Sequence, residues 1–346
     1  MNIFQLYIIS IACFTSIAAA LPGTFLVLRG MALMSDAISH AILPGIVIMF
    51  LIIHKLESPL LIVGASIAGM LTVILTEALI KTKRIKKDAA IGLIFPLFFS
   101  VGVILISLFA RNVHLDVDMV LLGEIAFTPF DHLIINGINL GPYALWNMGI
   151  IAALNCILVF ALYKELQITT FDSQFAHSIG FSPSVLHYGI MLLTSITAVG
   201  AFDIVGSIVV IALMIVPPAT GYLLTKKLPH MIGITLFVAI ISSINGYLVA
   251  ALYDISIAGS IALANGVIFL IALLFAPEKG IFHKQLFLKK ESMNTAHTIL
   301  CTYLTKKQKL RANDIPLEII AQELGWNQRY TQKIIDYSLK TKYKKL

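Results

Sequence analysis

MALMSDAISHAILPGIVIMFLII, residues 31–53, is apolar enough to cross a bilayer, yet it carries an acid, Asp36, and an imidazole, His40, four residues apart. Helical spacing of i, i+4 stacks the two side chains on one face. Neither group gains by entering hydrocarbon alone, since a central Asp costs roughly 2.5 to 3.5 kcal/mol on insertion scales. A carboxylate beside an imidazole is a hard-to-borderline donor pair suited to a divalent first-row ion. The residues by themselves leave two readings open: a metal-ligand pair on a transmembrane ion pathway, or a structural pair hydrogen-bonded inside a helix bundle. Ser35 and Ser39 are expected to keep that face polar, and Pro44-Gly45 to loosen the helix just beyond.

The rest of the chain places this stretch in a membrane. Of 346 residues 58% are hydrophobic and 12% charged, outside the range of soluble globular domains. Apolar runs of membrane-spanning length recur, and in lipid they must be helical because every backbone N–H and C=O needs an internal partner. The expected fold is all-α and polytopic, with about nine transmembrane helices (eight to ten) and a small helical cytoplasmic tail. The runs are 3–28, 31–53, 59–80, 89–110, 143–163, 185–201, 204–224, 231–252 and 257–276. Pro22 and Gly23 are expected to bend the first. Ala18 and Ala20 mimic a signal cleavage pattern there, but no Lys or Arg precedes Arg29, so a retained helix is expected. Between residues 200 and 206, two glycines and Asp203 predict a tight turn or a re-entrant pair. Cys13, Cys156 and Cys301 suggest no disulfide framework or zinc cluster.

Charge is distributed unevenly. Residues 1–278 hold 11 Lys+Arg against 13 Asp+Glu, and residues 279–346 hold 14 against 5, so the net +7 resides in the tail. Alternate loops also differ. One set carries Arg29, Lys81, Lys83, Arg84, Lys86, Lys87, Lys164, Lys226, Lys227 and Lys279, whereas the other has little beyond Lys55 and Arg111. The positive-inside bias then predicts an amino terminus outside and the tail in the cytoplasm. Glu77 is expected to pair with Lys81 one turn later, without a transport role. The longest outer loop, 111–142, offers His114, Asp116, Asp118, Glu124, Asp131 and His132. Of these His114, Asp116, Asp118 and Glu124 are candidates for cation attraction. For each of them an ordinary solvated charge is the simpler account.

The chain has no G-x-x-x-x-G-K-[ST] cradle and no H-E-x-x-H, so no catalytic residue is assigned, and any ATP-driven step needs a second polypeptide. One helix supplies two ligands, too few for a tetrahedral or octahedral site. Two copies about a two-fold axis would supply two imidazoles and two carboxylates.

Residues 29–45, RGMALMSDAISHAILPG, closely resemble the second-helix signature of the metal-type ABC permeases, the membrane subunits of bacterial manganese, zinc and iron importers. The resemblance continues in residues 121–125 (LLGEI), 170–180 (TFDSQFAHSIG), 206–219 with Pro217-Pro218, and 276–280 (APEKG), covering about residues 1–280 in order. It implies a permease domain over 1–280 and metal coordination by Asp36 and His40. It implies further that 171–180 is a cytoplasmic coupling helix for the ATPase, with Phe171, Asp172, Phe175 and Gly180 as its key residues. The simpler account of that stretch is an amphipathic loop helix with Phe171 and Phe175 packed on the bundle. The outer-loop spacing resembles the manganese and iron branch. Implied partners are two copies of an ABC ATPase, a second identical or related permease, an extracytoplasmic metal-binding protein and membrane lipid. No permanently bound cofactor is expected; the divalent ion (Mn, Zn or Fe) is cargo.

The tail, 281–346, departs from this pattern. Residues 321–325 followed by 328–339 have helix-turn-helix spacing, but a short segment tethered to a membrane is not expected to bind nucleic acid. His297 and Cys301 are also spaced i, i+4. The competing functional class is a proton-coupled secondary metal transporter without an ATPase, and a third is a membrane-tethered regulator acting through its tail.

Overall fold

The computed structural model describes residues 2–54, 60–109, 123, 125–135, 138–277, 279–306 and 316–343. They form two compact units, 1–273 and 274–346. Among the described residues, nine helical spans are long and apolar enough to cross a membrane.

In the first unit α1 (Ile3–Leu28) is the hub, packed against α6 (Tyr143–Ala161), α10 (Ser207–Leu224) and α11 (Leu228–Tyr253). The face that makes this possible is built from Ala12, Thr15, Ser16, Ala18, Ala19, Ala20 and Gly23, all buried. Small side chains let helix backbones approach closely, which in lipid replaces the hydrophobic drive available in water. Gly23 carries this furthest: a Cβ there would lie 2.0 Å from the backbone oxygen of Met214 on α10. That oxygen has no helical donor, because the residue four further on is Pro218. The same logic operates within α1, which runs unbroken through Pro22. Pro22 leaves the carbonyl of Ala18 without its N–H, and Asn155 of α6 supplies one at 2.8 Å while also donating to Thr197 of α9 (Pro183–Val205) at 2.8 Å. Ser16 and Ser243 join α1 to α11 by their hydroxyls.

The second span is not one helix. It divides into α2 (Leu33–Ala41) and α3 (Leu43–Ile53) at Ile42, because Pro44 cannot donate to the carbonyl of His40. Next, α4 (Leu60–Lys81) crosses α3 where Gly45 meets Gly64, and α5 (Lys87–Phe109) lies against α2 and α3. The span α12 (Ile257–Phe275) completes the set.

Several expectations need correction. Asp203 lies inside α9, not in a turn; the chain turns at Gly206 alone, at φ 78°, and α9 and α10 are separate helices. Near the end of the outer loop, β1 (His132–Ile135) and β2 (Ile138–Pro142) pair antiparallel, with Ile134 opposite Asn139, a small addition to the helical fold. Isoleucines favour this pleated conformation. The candidates His114, Asp116, Asp118 and Glu124 lie outside the described residues.

In the second unit α13 (Ile281–Lys306) packs on α15 (Gln328–Tyr343), which also holds α14 (Leu317–Leu324). The core is Ala296, Leu300, Ile320, Ile334 and Ile335. Gly325, at φ 67°, turns the chain between α14 and α15.

Two glycines test the close-packing account. Gly23→Val should lower the melting temperature in detergent by the equivalent of about 1 to 3 kcal/mol of overpacking or more. Gly149→Ala in α6, where a Cβ meets nothing within 4 Å, should be neutral or raise it by up to about 1 kcal/mol. Replacing Asn155 by Leu should cost about 1 to 3 kcal/mol by stranding the Ala18 carbonyl.

Candidate functional site

Helix α2 begins immediately after a tight reversal. Arg29 caps α1, Gly30 takes φ 63°, and Gly30 and Met31 donate back to Val27 and Leu26 at 3.1 and 2.8 Å. Glycine is the residue that adopts this left-handed conformation at least cost. The reversal sets the rotation of α2. Met34, Ser35, Ala37, Ile38, Ser39 and Ala41 face the bundle. Asp36 and His40 point the other way, with side-chain exposures of 37% and 28% and Nε2 of His40 3.4 Å from Oδ1 of Asp36. The His40 ring lies 5.9 Å from that of Phe95 on α5.

Ser35 and Ser39 therefore do not share this face as expected. Both are buried and donate to backbone oxygens of their own helix, Ala32 and Ser35, at 2.8 and 2.9 Å. Intrahelical bonding satisfies a hydroxyl inside a membrane without any outside partner. The polar face is reduced to the carboxylate and the imidazole. Among the described residues, no group of three or more His, Cys, Asp or Glu is arranged to hold a metal ion. Asp36 and His40 thus form an isolated two-donor pair, both part-exposed.

A second polar cluster lies among the ends of α1, α4, α7 (Tyr163–Phe171) and α9. The Arg29 guanidinium donates from Nη1 to Nδ1 of His187 at 2.9 Å. It also donates to Oγ1 of Thr170 from Nε at 3.3 Å and from Nη2 at 3.2 Å, and from Nη2 to Oγ1 of Thr169 at 3.5 Å. Because arginine only donates, Nδ1 of His187 accepts, which puts the imidazole proton on Nε2, the nitrogen paired with Glu77. Tyr188 donates to the other Glu77 oxygen at 2.7 Å. Burial pulls the Arg29 guanidinium below its ordinary value and Glu77 pushes it back up. Among the described residues the Glu77 carboxylate instead meets the Nε2–H of His187, while Lys81, one turn on, acts as a longer-range attraction. The sequence signal for this cluster was available, since Glu77 and His187 are ionisable groups within otherwise apolar runs.

The stretch 171–180 is a short helix, α8 (Ser173–Ser178), set off from α7 by Asp172. Oδ1 of Asp172 accepts from the N–H of Phe175 at 2.9 Å, capping α8, and Gly180 at φ 91° ends it. Phe171 and Phe175 do not pack on the bundle. Phe171, Phe175 and Ile179 are 62%, 52% and 47% exposed, and the attachment is made instead by buried Ala176. The break at Asp172 separates the two phenylalanines into different helices.

In the tail, Sγ of Cys301 is 3.5 Å from Nδ1 of His297, and Tyr337 lies edge-on to that imidazole.

Residues 2–276 match the ABC 3 transport family. The chain is 40% identical over 283 residues to the manganese transport system membrane protein MntD of Bacillus subtilis, covering 82% of this chain and 96% of that one. It is 41% identical over 338 residues to the zinc transport system membrane protein TroD of Treponema pallidum, covering 96% and 91%. Among solved structures it is similar to PsaBC of Streptococcus pneumoniae in complex with Fab, with a TM-score of 0.68, 29% identity and coverage of 84% and 96%. With the family match spanning most of its length, and nine helices among the described residues long and apolar enough to cross a membrane, this chain belongs to the ABC 3 transport family.

Proposed function

We propose that this chain is the permease subunit of an ATP-binding-cassette importer that carries a divalent transition-metal ion, manganese first and zinc or iron also, across the bacterial cytoplasmic membrane. The observation that carries the reading is the Asp36–His40 pair, 3.4 Å apart and part-exposed on the side of a membrane protomer. A carboxylate facing lipid would be expensive, so this surface is covered in the working assembly. A second permease, identical or related, brings two more donors across a two-fold axis and completes a four-donor nitrogen and oxygen site. Similar identities to a manganese and a zinc protein, 40% and 41%, support a divalent cargo and favour neither metal. A site of this donor type binds zinc at least as well as manganese, so selection falls to geometry and delivery.

The ATPase contact is α8. Exposed Phe175 on the short capped helix α8, flanked by exposed Phe171 at the end of α7 and Ile179 just past α8, suits a groove on a partner subunit and has no use in a proton-coupled carrier. Two ATPase copies would engage two such helices, and ions would arrive on an extracytoplasmic binding protein. The basic loops support the orientation: Lys87 donates to the Arg29 carbonyl at 3.2 Å, and Arg29 reaches Thr169 and Thr170 three to four residues before α8. These belong to the cytoplasmic end, with the amino terminus outside. In this reading 1–280 is the permease domain and 281–346 a cytoplasmic appendage that does not engage nucleic acid.

Manganese uptake by the reconstituted importer should fall below about one-hundredth in Asp36→Ala, His40→Ala, the equivalent of losing about 3 kcal/mol of ion binding; uptake at the native level would overturn the site. Phe175→Ala should insert and fold normally, keep ion binding, and lose metal-dependent uptake together with stimulated ATP turnover.

A further inference from the structure

Arg29 stands at a junction that the metal site and the coupling helix do not explain separately. Its backbone forms the reversal from which α2 starts, seven residues before Asp36. Its side chain holds the end of α7 through Thr169 and Thr170, two residues before the Asp172 cap of α8. Through His187 and Glu77 the same guanidinium is tied to α9 and α4, and α4 packs on both α2 and α3. A planar guanidinium donating in several directions at once is a stiff connector, because its donors have fixed relative directions.

A cation site is not what this cluster offers. The free lone pair of His187 is already taken by Arg29, and a fixed positive charge 2.9 Å from that nitrogen repels a divalent ion. A purely structural plug would not need to converge on the one turn that sets the rotation of the pathway helix.

We propose that Arg29 is the positioning residue that transmits movement of the coupling helix to the Asp36–His40 helix, gripping Thr169 and Thr170 at one side and the α1–α2 reversal at the other. Displacing α8 carries the end of α7 with it. The guanidinium follows, held between Thr170 and His187, and the Gly30 reversal turns α2. His187, Glu77 and Tyr188 keep the guanidinium aimed. This inference rests on the assignments of α8 as ATPase contact and of Asp36–His40 as pathway site.

The test uses the whole importer in proteoliposomes, with Mn2+ as the probe, and reads ions taken up per ATP hydrolysed. Thr170→Val removes the acceptor while keeping the volume, and Thr170→Ser keeps the acceptor. ATP turnover should stay within about twofold in both, while uptake per ATP should fall about tenfold in Thr170→Val and recover in Thr170→Ser. Arg29→Gln should show the same loss, and the Arg29→Gln, Thr170→Val double variant should be no worse than the poorer single variant, the signature of one shared connection. An unchanged ratio in Thr170→Val, a Ser variant as poor as Val, or fully additive losses would overturn the proposal; Thr170→Val alone decides it if Arg29→Gln fails to fold. Failure of the underlying assignments is read separately, as native uptake in the Asp36→Ala, His40→Ala variant, because the Thr170 ratio is measured with the pathway pair intact.

Discussion

Hydrocarbon offers no hydrogen bonds, and that constraint runs through every polar feature of this protein. Several donors and acceptors within the bundle are answered by another part of the chain, while among the described residues a few buried ones, Oγ of Ser66 and Ser207 and Oδ1 of Asn155 among them, have no hydrogen-bond partner. Ala18 loses its helical donor to Pro22 and receives one from Asn155. Ser35 and Ser39 turn their hydroxyls onto their own helix. Glu77 and Arg29 are satisfied through His187. Asp36 and His40 answer only each other and remain open at the protomer surface. The asymmetry between these satisfied groups and the open pair separates structural polarity from functional polarity.

Close packing supplies the rest. The central helix carries a stripe of alanine, serine, threonine and glycine so that three neighbours can lie against it. The prolines in this bundle act where they remove a backbone donor. Pro22 recruits Asn155, Pro218 leaves the Met214 oxygen facing Gly23, and Pro44 divides the second span just after the Asp36–His40 pair. That last break makes α2 a separate nine-residue helix, bounded by the Gly30 reversal at one end and Ile42 at the other.

Much of this was legible in the chain. The spans follow from apolar runs, and the i, i+4 spacing of Asp36 and His40 is enough to predict their contact. The capping of α8 by Asp172 and its end at Gly180 follow from local residue preferences. What failed did so for one reason: local spacing says nothing about which other helix arrives. Glu77 has Lys81 one turn away in sequence, yet the Leu60–Lys81 helix meets α9, and His187 takes the carboxylate. Phe171 and Phe175 have packing spacing, but the break at Asp172 leaves both outward.

By itself the sequence determined that the protein is a helical membrane bundle of about nine spans, and that an acid and an imidazole share one face of the second span. These depend on the cost of an unpaired backbone in lipid and on helical periodicity, both local properties of the chain. Only the tertiary structure decided that this face points out of the bundle while the neighbouring serines point in, and that Arg29, Thr170, His187 and Glu77 meet at one end. Those outcomes are set by the rotation of each helix against its neighbours, which depends on side chains 110 to 158 positions apart in sequence.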